Sequence, residues 1–231
     1  MILQMADTII AQTEMEMRTI CRSYGIQSAK VKIIPNGVSE LFWHHDDSRF
    51  RREFSIEKPY VLQVGTIEPN KNQLSVIRAL KETDIQLVII GGANSTYQDY
   101  YDQCISESSE NIHYAGWVLD EDMLASAYAG AQTVILPSFR EIFGNSLFEG
   151  ALSGANIVAT NVLPLDSWGI QDYCQTINPN SIEDIYKKIK KSMDLKKTDK
   201  LSRHIFDNYS WTSVSKQYFE IYKQVVQKFS G

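Results

Sequence analysis

The sequence predicts an α/β fold in which a doubly wound parallel sheet carries helices on both faces. Two observations predict it. From residue 60 onward, short β-branched apolar runs alternate with longer amphipathic ones, the pattern of parallel strands joined by crossover helices. The chain has 231 residues, 43% hydrophobic and 22% charged, with 12 Gly and 6 Pro. That is enough apolar material for one complete domain with attachments, and too few breakers for a disordered chain.

Strands are expected at residues 60–64, 85–90, 112–114, 133–136, 157–160 and 175–177. Helices are expected between and after them, at 73–80, 97–106, 123–131, 146–152 and 182–193, with Ser181 followed by Asp184 as an N-cap signal. The first 59 residues fit the alternation badly. They read as a strand at 8–11, a helix at 14–24, a strand at 32–34 and a polar, solvated stretch at 44–52, like the tail of another unit. At the other end Val214, Tyr218, Ile221, Tyr222, Val225, Val226 and Phe229 recur at helical spacing with no strand after them. A terminal helix that needs a surface to cover is implied.

Charge and cysteines narrow the function classes. A net charge of -5 argues against a nucleic-acid binder, which needs a basic surface along a phosphate backbone. Cys21, Cys104 and Cys174 are far apart and odd in number, so neither a disulfide framework nor a zinc knuckle is suggested and a reducing, cytoplasmic setting suits them. The first twelve residues lack a basic start and are broken by Gln4 and Asp7, so they read as neither leader nor membrane span.

The most informative stretch is LPSFREIFGNSLFEGALSG at 136–154, a strand end, a glycine-containing loop and a helix start. Ligands of parallel α/β sheets bind at the carboxyl ends of strands. Gly144 permits close backbone approach, and the N–H groups of residues 145–148, at the positive end of the helix dipole, suit a diphosphate. Glu141 precedes that site and Glu149 follows it. Carboxylates accept hydrogen bonds from paired hydroxyls, so one can hold a sugar and the other a ribose. The spacing alone leaves open a plainer reading, with Glu141 on a surface loop and Glu149 as a helix residue.

In its setting P-S-x-x-E-x-F-G-x-x-x-x-E, the pair Glu141 and Glu149 resembles the E-x7-E motif of the family 4 (group 1) retaining glycosyltransferases of GT-B fold. The segment IPNGV at 34–38 is similar to that family's interdomain linker and VGTIEPNKN at 64–72 to the first loop of its donor domain. YAGW at 114–117 is similar to its turn beside the base and YSW at 209–211 to its closing segment. The resemblance implies a Rossmann-like C-terminal donor domain at 41–210, preceded by a remnant of the acceptor domain and linker at 1–40 and followed by a crossover helix at 211–231. Most of the acceptor half would lie outside this sequence.

Carried over residue by residue, the resemblance implies that Glu141 touches the donor hexose and that the backbone of Phe143, Gly144, Asn145 and Ser146 touches hexose and diphosphate. Glu149 would hold the ribose, Lys71 would neutralise the diphosphate beside Gly65 and Thr66, and Gly116 and Trp117 would flank the base. Glu141 and Lys71 are the implied catalytic residues. The implied partners are a nucleoside diphosphate sugar, a glycan or lipid-linked acceptor, and an N-terminal domain or a second copy that covers exposed apolar surface. Three positions depart from the family: Thr66 stands where arginine is frequent, Gly150 where alanine is usual and Asn156 where proline is common. The first leaves Lys71 as the sole cation unless Arg140 assists, and the other two should cost stability more than chemistry.

Other readings are weaker. No G-x-G-x-x-G or Walker motif is present, which disfavours an NAD enzyme or an NTPase. The run Asp120-Glu121-Asp122 imitates a D-x-D metal motif but precedes a helix, so capping is expected. His44, His45, Asp46 and Asp47 are adjacent and read as a solvated linker, so neither metal nor cofactor is expected. Lysines 187, 188, 190, 191, 196, 197 and 200 read as a solvated helix face, with peripheral contact to anionic lipid at the inner membrane face as the alternative. A non-catalytic sugar-nucleotide-binding module remains the alternative to an enzyme, with a GT-B epimerase third.

Overall fold

A computed structural model describes residues 2–43, 45–93 and 95–229, apart from the side chain of Phe229. His44 of the His/Asp run lies outside the described residues. In chain order the elements are α1 (Ile2–Met5), β1 (Ile9–Ala11), α2 (Glu14–Tyr24), β2 (Val31–Ile33), α3 (Ser48–Phe54), β3 (Tyr60–Val64), α4 (Gln73–Leu80), β4 (Gln86–Ile90) and α5 (Gln98–Glu107). They continue with β5 (Ile112–Gly116), α6 (Glu121–Gly130), β6 (Thr133–Leu136), α7 (Asn145–Leu152), β7 (Asn156–Thr160), β8 (Cys174–Ile177), α8 (Ile182–Met193), α9 (Asp199–Tyr209) and α10 (Trp211–Phe229).

Strands β3 to β8 form one parallel sheet in the order β5-β4-β3-β6-β7-β8. The order reverses between β3 and β6, which places a topological switch point beside their carboxyl ends. Alternate residues feed two cores. Leu62, Val88, Val134 and Ile157 pack on one face with α6, α7 and α9, while Val61, Leu87, Ile135 and Val158 pack on the other with α4 and α8. Burial on both faces explains why the strands read as continuous apolar runs.

Three helices were not expected, the single turn α1 and the longer α3 and α9. The stretch at 45–52 is no solvated linker, because α3 occupies 48–54 and buries Phe50 completely. Its polar residues are engaged with the domain: Phe50 N donates to Ser126 Oγ at 3.0 Å, Arg51 donates to Gly130 O at 2.8 Å, and Arg49 forks onto Asp120 at 3.1 and 2.6 Å. Helix α9 buries Leu201, Ile205 and Tyr209. The expected caps are seen, with Asp120 accepting from Met123 N at 2.9 Å and Ser181 from Asp184 N at 3.2 Å.

Gly150 corrects an expectation. A Cβ there would meet the Val134 side chain at 2.6 to 2.9 Å, so glycine is what lets α7 lie against β6, and it supports packing rather than weakening it. Asn156 is likewise used, donating to Ser192 O and Leu195 O at 3.0 Å each and tying β7 to the end of α8.

Residues 2–33 form a second, small unit, in which β1 and β2 pair in parallel under α2. The connection at 36–40 is zipped to the start of α10. Val38 N donates to Tyr209 O at 2.8 Å, Trp211 N to Val38 O at 3.1 Å and Thr212 N to Glu40 Oε1 at 2.9 Å. The Trp211 ring lies so close over Gly37 that no side chain fits beneath it. Within α10 Val214 is buried, whereas Phe219 and Tyr222 are exposed. Among the described residues no helix is long and apolar enough to cross a membrane.

Candidate functional site

A cavity of about 380 Å³ opens at the carboxyl ends of β3 and β6. It is built from two loops and a helix start. The loop after β3 turns at Gly65 and delivers Lys71, whose carbonyl is held by Gln63 Nε2 at 2.8 Å. Asn72 then adopts φ +58° and donates to Pro137 O at 3.2 Å and Pro179 O at 2.9 Å. The loop after β6 delivers Glu141. Lys71 Nζ donates to Glu141 Oε2 at 2.8 Å, and both side chains are largely shielded from water, at 26% and 15% exposure.

Gly144 starts α7 from φ +82°, and a Cβ there would meet Leu136 Cδ2 at 2.6 Å. Backbone conformation and space both require glycine. No side chain caps α7, so the first-turn N–H groups of Asn145 and Ser146, without intrahelical partners, give this wall a positive partial charge. The Phe143 ring turns inward and stacks on Phe148 at 4.2 Å. Asn36 Nδ2 donates to Asn145 Oδ1 at 3.1 Å, bringing the connecting segment to the cavity wall.

Glu149, one turn further along α7, lines both this cavity and a second of about 440 Å³ that shares Phe143 and Asn145 and is also lined by Leu124 and Trp211. Tyr128 Oη, fully buried, donates to Glu149 Oε2 at 2.6 Å. Burial pushes the Glu149 carboxyl above its ordinary pKa, with the Tyr128 hydroxyl bond opposing the shift. Burial also raises the Tyr128 phenol, and the adjacent carboxylate adds to it.

Of the residues singled out from the sequence, Gly65, Lys71, Glu141, Phe143, Gly144, Asn145, Ser146 and Glu149 line the cavity. Thr66, Gly116 and Trp117 do not. Thr66 O accepts from Gln73 Nε2 at 2.9 Å, Gly116 O accepts from Gly91 N at 2.8 Å, and the Trp117 indole rests against Gly92 with 58% of the residue exposed. Arg140 is exposed and outside the lining, so it does not join Lys71. Gln12, Asn36, Val64 and Ile142 line the cavity without having been singled out. Asn36 was within reach, since it lies in the IPNGV segment, whereas nothing local marks Gln12. Asp120 is engaged by Arg49 and its own helix.

The profile of the family described as glycosyl transferases group 1 matches residues 45–209. The chain belongs to that family. It is 32% identical over 141 residues to O-antigen chain mannosyltransferase B of Escherichia coli, covering 58% of this chain and 36% of the relative. It is 27% identical over 174 residues to D-inositol 3-phosphate glycosyltransferase of Acidothermus cellulolyticus, covering 68% of this chain and 39% of the relative. Among solved structures, sucrose-phosphate synthase of Thermosynechococcus elongatus superposes with a TM-score of 0.80 at 19% identity, over 98% of this chain and 60% of that one. Anabaena HepE in complex with UDP superposes at 0.81 and 20% identity, over 96% of this chain and 65% of that one. The chain thus spans little more than a third of these curated relatives. Its parallel sheet is the Rossmann-like C-terminal domain of the GT-B fold.

Proposed function

We propose that this chain is the donor-binding part of a family 4 retaining hexosyltransferase, taking the hexose from a nucleoside diphosphate sugar to a glycan or lipid-linked acceptor. The observation that carries the reading is the meeting, in one cavity, of the Lys71 ammonium, the Glu141 carboxylate and the uncapped start of α7, with Glu149 as a wall. An anion fits between the cation and the helix terminus. A carboxylate on each side of it suits hydroxyls and repels phosphate, and the family resemblance assigns the hexose to Glu141, the diphosphate to Lys71 and residues 144–146, and the ribose to Glu149. Gly116 and Trp117 flank the base from the carboxyl end of β5.

In the proposed reaction the bond from the anomeric carbon to the diphosphate oxygen breaks as the acceptor oxygen attacks the same face. The departing oxygen takes the acceptor proton, so retention needs no side-chain base. Lys71 and the α7 terminus stabilise the charge that grows on the leaving group, and the reaction calls for no metal or organic cofactor. Relatives named as mannosyl- and other glycosyltransferases, and a structural neighbour whose complex contains UDP, support this reading. Calorimetric titration with UDP-glucose and GDP-mannose tests it. One of the two should bind, and Glu149→Ala should weaken that binding about tenfold by removing a charged hydrogen-bond acceptor with the fold intact by circular dichroism. Equal affinity for the variant would remove Glu149 from the site.

A further inference from the structure

We infer that Asn70 is the positioning residue that sets Lys71 against Glu141, acting as one added rung between two strands whose own ladder has ended; the inference rests on the donor site proposed above. The pairing of β3 with β6 runs only through Val61 with Thr133 and Leu62 with Val134. Beyond it each strand pairs only with its outer neighbour, β3 as far as Val64 and β6 as far as Leu136, and the groups that must act together lie on the loops that follow, Lys71 on one and Glu141 on the other.

Asn70 joins these loops with three hydrogen bonds. Its Nδ2 donates to Arg140 O at 3.0 Å, its Oδ1 accepts from Arg140 N at 3.0 Å, and its carbonyl accepts from Phe139 N at 2.9 Å. The amide side chain thus satisfies both backbone groups of Arg140, as a neighbouring strand would. Residue 71 follows residue 70 and residue 141 follows residue 140, so this rung fixes the register of the next pair, the 2.8 Å contact of Lys71 Nζ with Glu141. A lysine side chain has rotamer freedom to lose, and a fixed backbone limits how much of it must be lost when phosphate binds. Other residues cannot make the same pair of bonds: aspartate lacks the donor, and glutamine would hold its amide one methylene further out.

A double-mutant cycle on nucleotide affinity, with UDP and GDP as probes and uridine and guanosine as controls, tests the role. Asn70→Ala should weaken diphosphate binding about fivefold in the wild-type background, leave the nucleosides unaffected, and cost less than about twofold once Lys71→Ala is present, because coupled residues fail to add. An equal loss in both backgrounds, or an equal loss for the nucleosides, overturns the proposal. Amide exchange gives a readout free of any ligand. Arg140 N–H should be protected in the wild type and lose protection in Asn70→Ala, and unchanged exchange also overturns it. Asn70→Asp, which keeps the acceptor and loses the donor, should retain that protection and show a smaller loss of affinity, and it serves if the alanine variant fails to fold. Failure of the wild type to bind either diphosphate would count against the donor site, and the rung would then stand or fall on amide exchange.

Discussion

Lys71 and Glu141 hold each other at 2.8 Å, so a diphosphate entering the cavity must draw the ammonium away from a carboxylate. In the proposed donor site the contact would keep a largely shielded cation compensated until phosphate took the place of the carboxylate. Lys71→Ala should therefore weaken nucleoside diphosphate binding by roughly 10- to 100-fold, the worth of a charge-assisted hydrogen bond, and barely change binding of the bare nucleoside. A calorimetric comparison of the two ligands checks this, and similar losses for both would make Lys71 a structural residue. Glu149 carries a pH signature. Burial raises its folded pKa above the ordinary carboxyl value of 4.5, so the folded chain binds that proton more tightly than the unfolded one. The stabilisation is full below pH about 4.5 and is lost as pH rises through the raised folded value. Glu149→Gln cannot ionise, so its melting temperature should gain on the wild type as pH climbs from 4 to 7, and parallel curves would contradict the burial assigned to the carboxyl. The E-x7-E pair was legible because a helix start and two flanking acids sit in one short segment, but the Tyr128 hydroxyl on Glu149 comes from 21 residues away, which no local pattern encodes.

At the scale of elements, α7 shows how packing and chemistry share one short helix. Gly144 opens it in the left-handed region, the first turn faces the cavity, and Gly150 sets the closeness of the helix to β6. Gly150→Ala, which would ordinarily favour a helix, should instead destabilise the fold by roughly 1 to 3 kcal/mol through overpacking on Val134, seen as a lower denaturation midpoint. A raised midpoint would show that β6 and α7 can move apart freely. The strands and most helices were readable because the central strands β3, β4, β6 and β7 are buried on both faces and the crossover helices keep an apolar period. Helix α3 was not, because its sequence SRFRREF is mostly charged and its stability comes from where Arg49, Arg51 and Phe50 reach on α6 and its ends. Helix α9 was hidden by the lysines before it, although Leu201, Ile205 and Tyr209 keep a four-residue spacing. The misjudgement of Gly150 has the same origin: helix propensity is local, whereas the approach of Val134 is tertiary.

For the molecule as a whole, the charge distribution agrees with a small anionic ligand. In a chain of net charge -5 the cavity offers phosphate one lysine and one helix terminus, which suits a diphosphate and not a polyanion. The central claim is that a nucleoside diphosphate lies between Lys71 and the start of α7, with its ribose toward Glu149. It is tested most directly by backbone amide chemical shifts recorded while UDP or GDP is titrated into the isotope-labelled protein. The account predicts that the largest shifts fall on Gly144, Asn145 and Ser146, with smaller ones at Lys71 and Glu149. Saturable shifts centred elsewhere, with residues 144–146 unmoved, would contradict it.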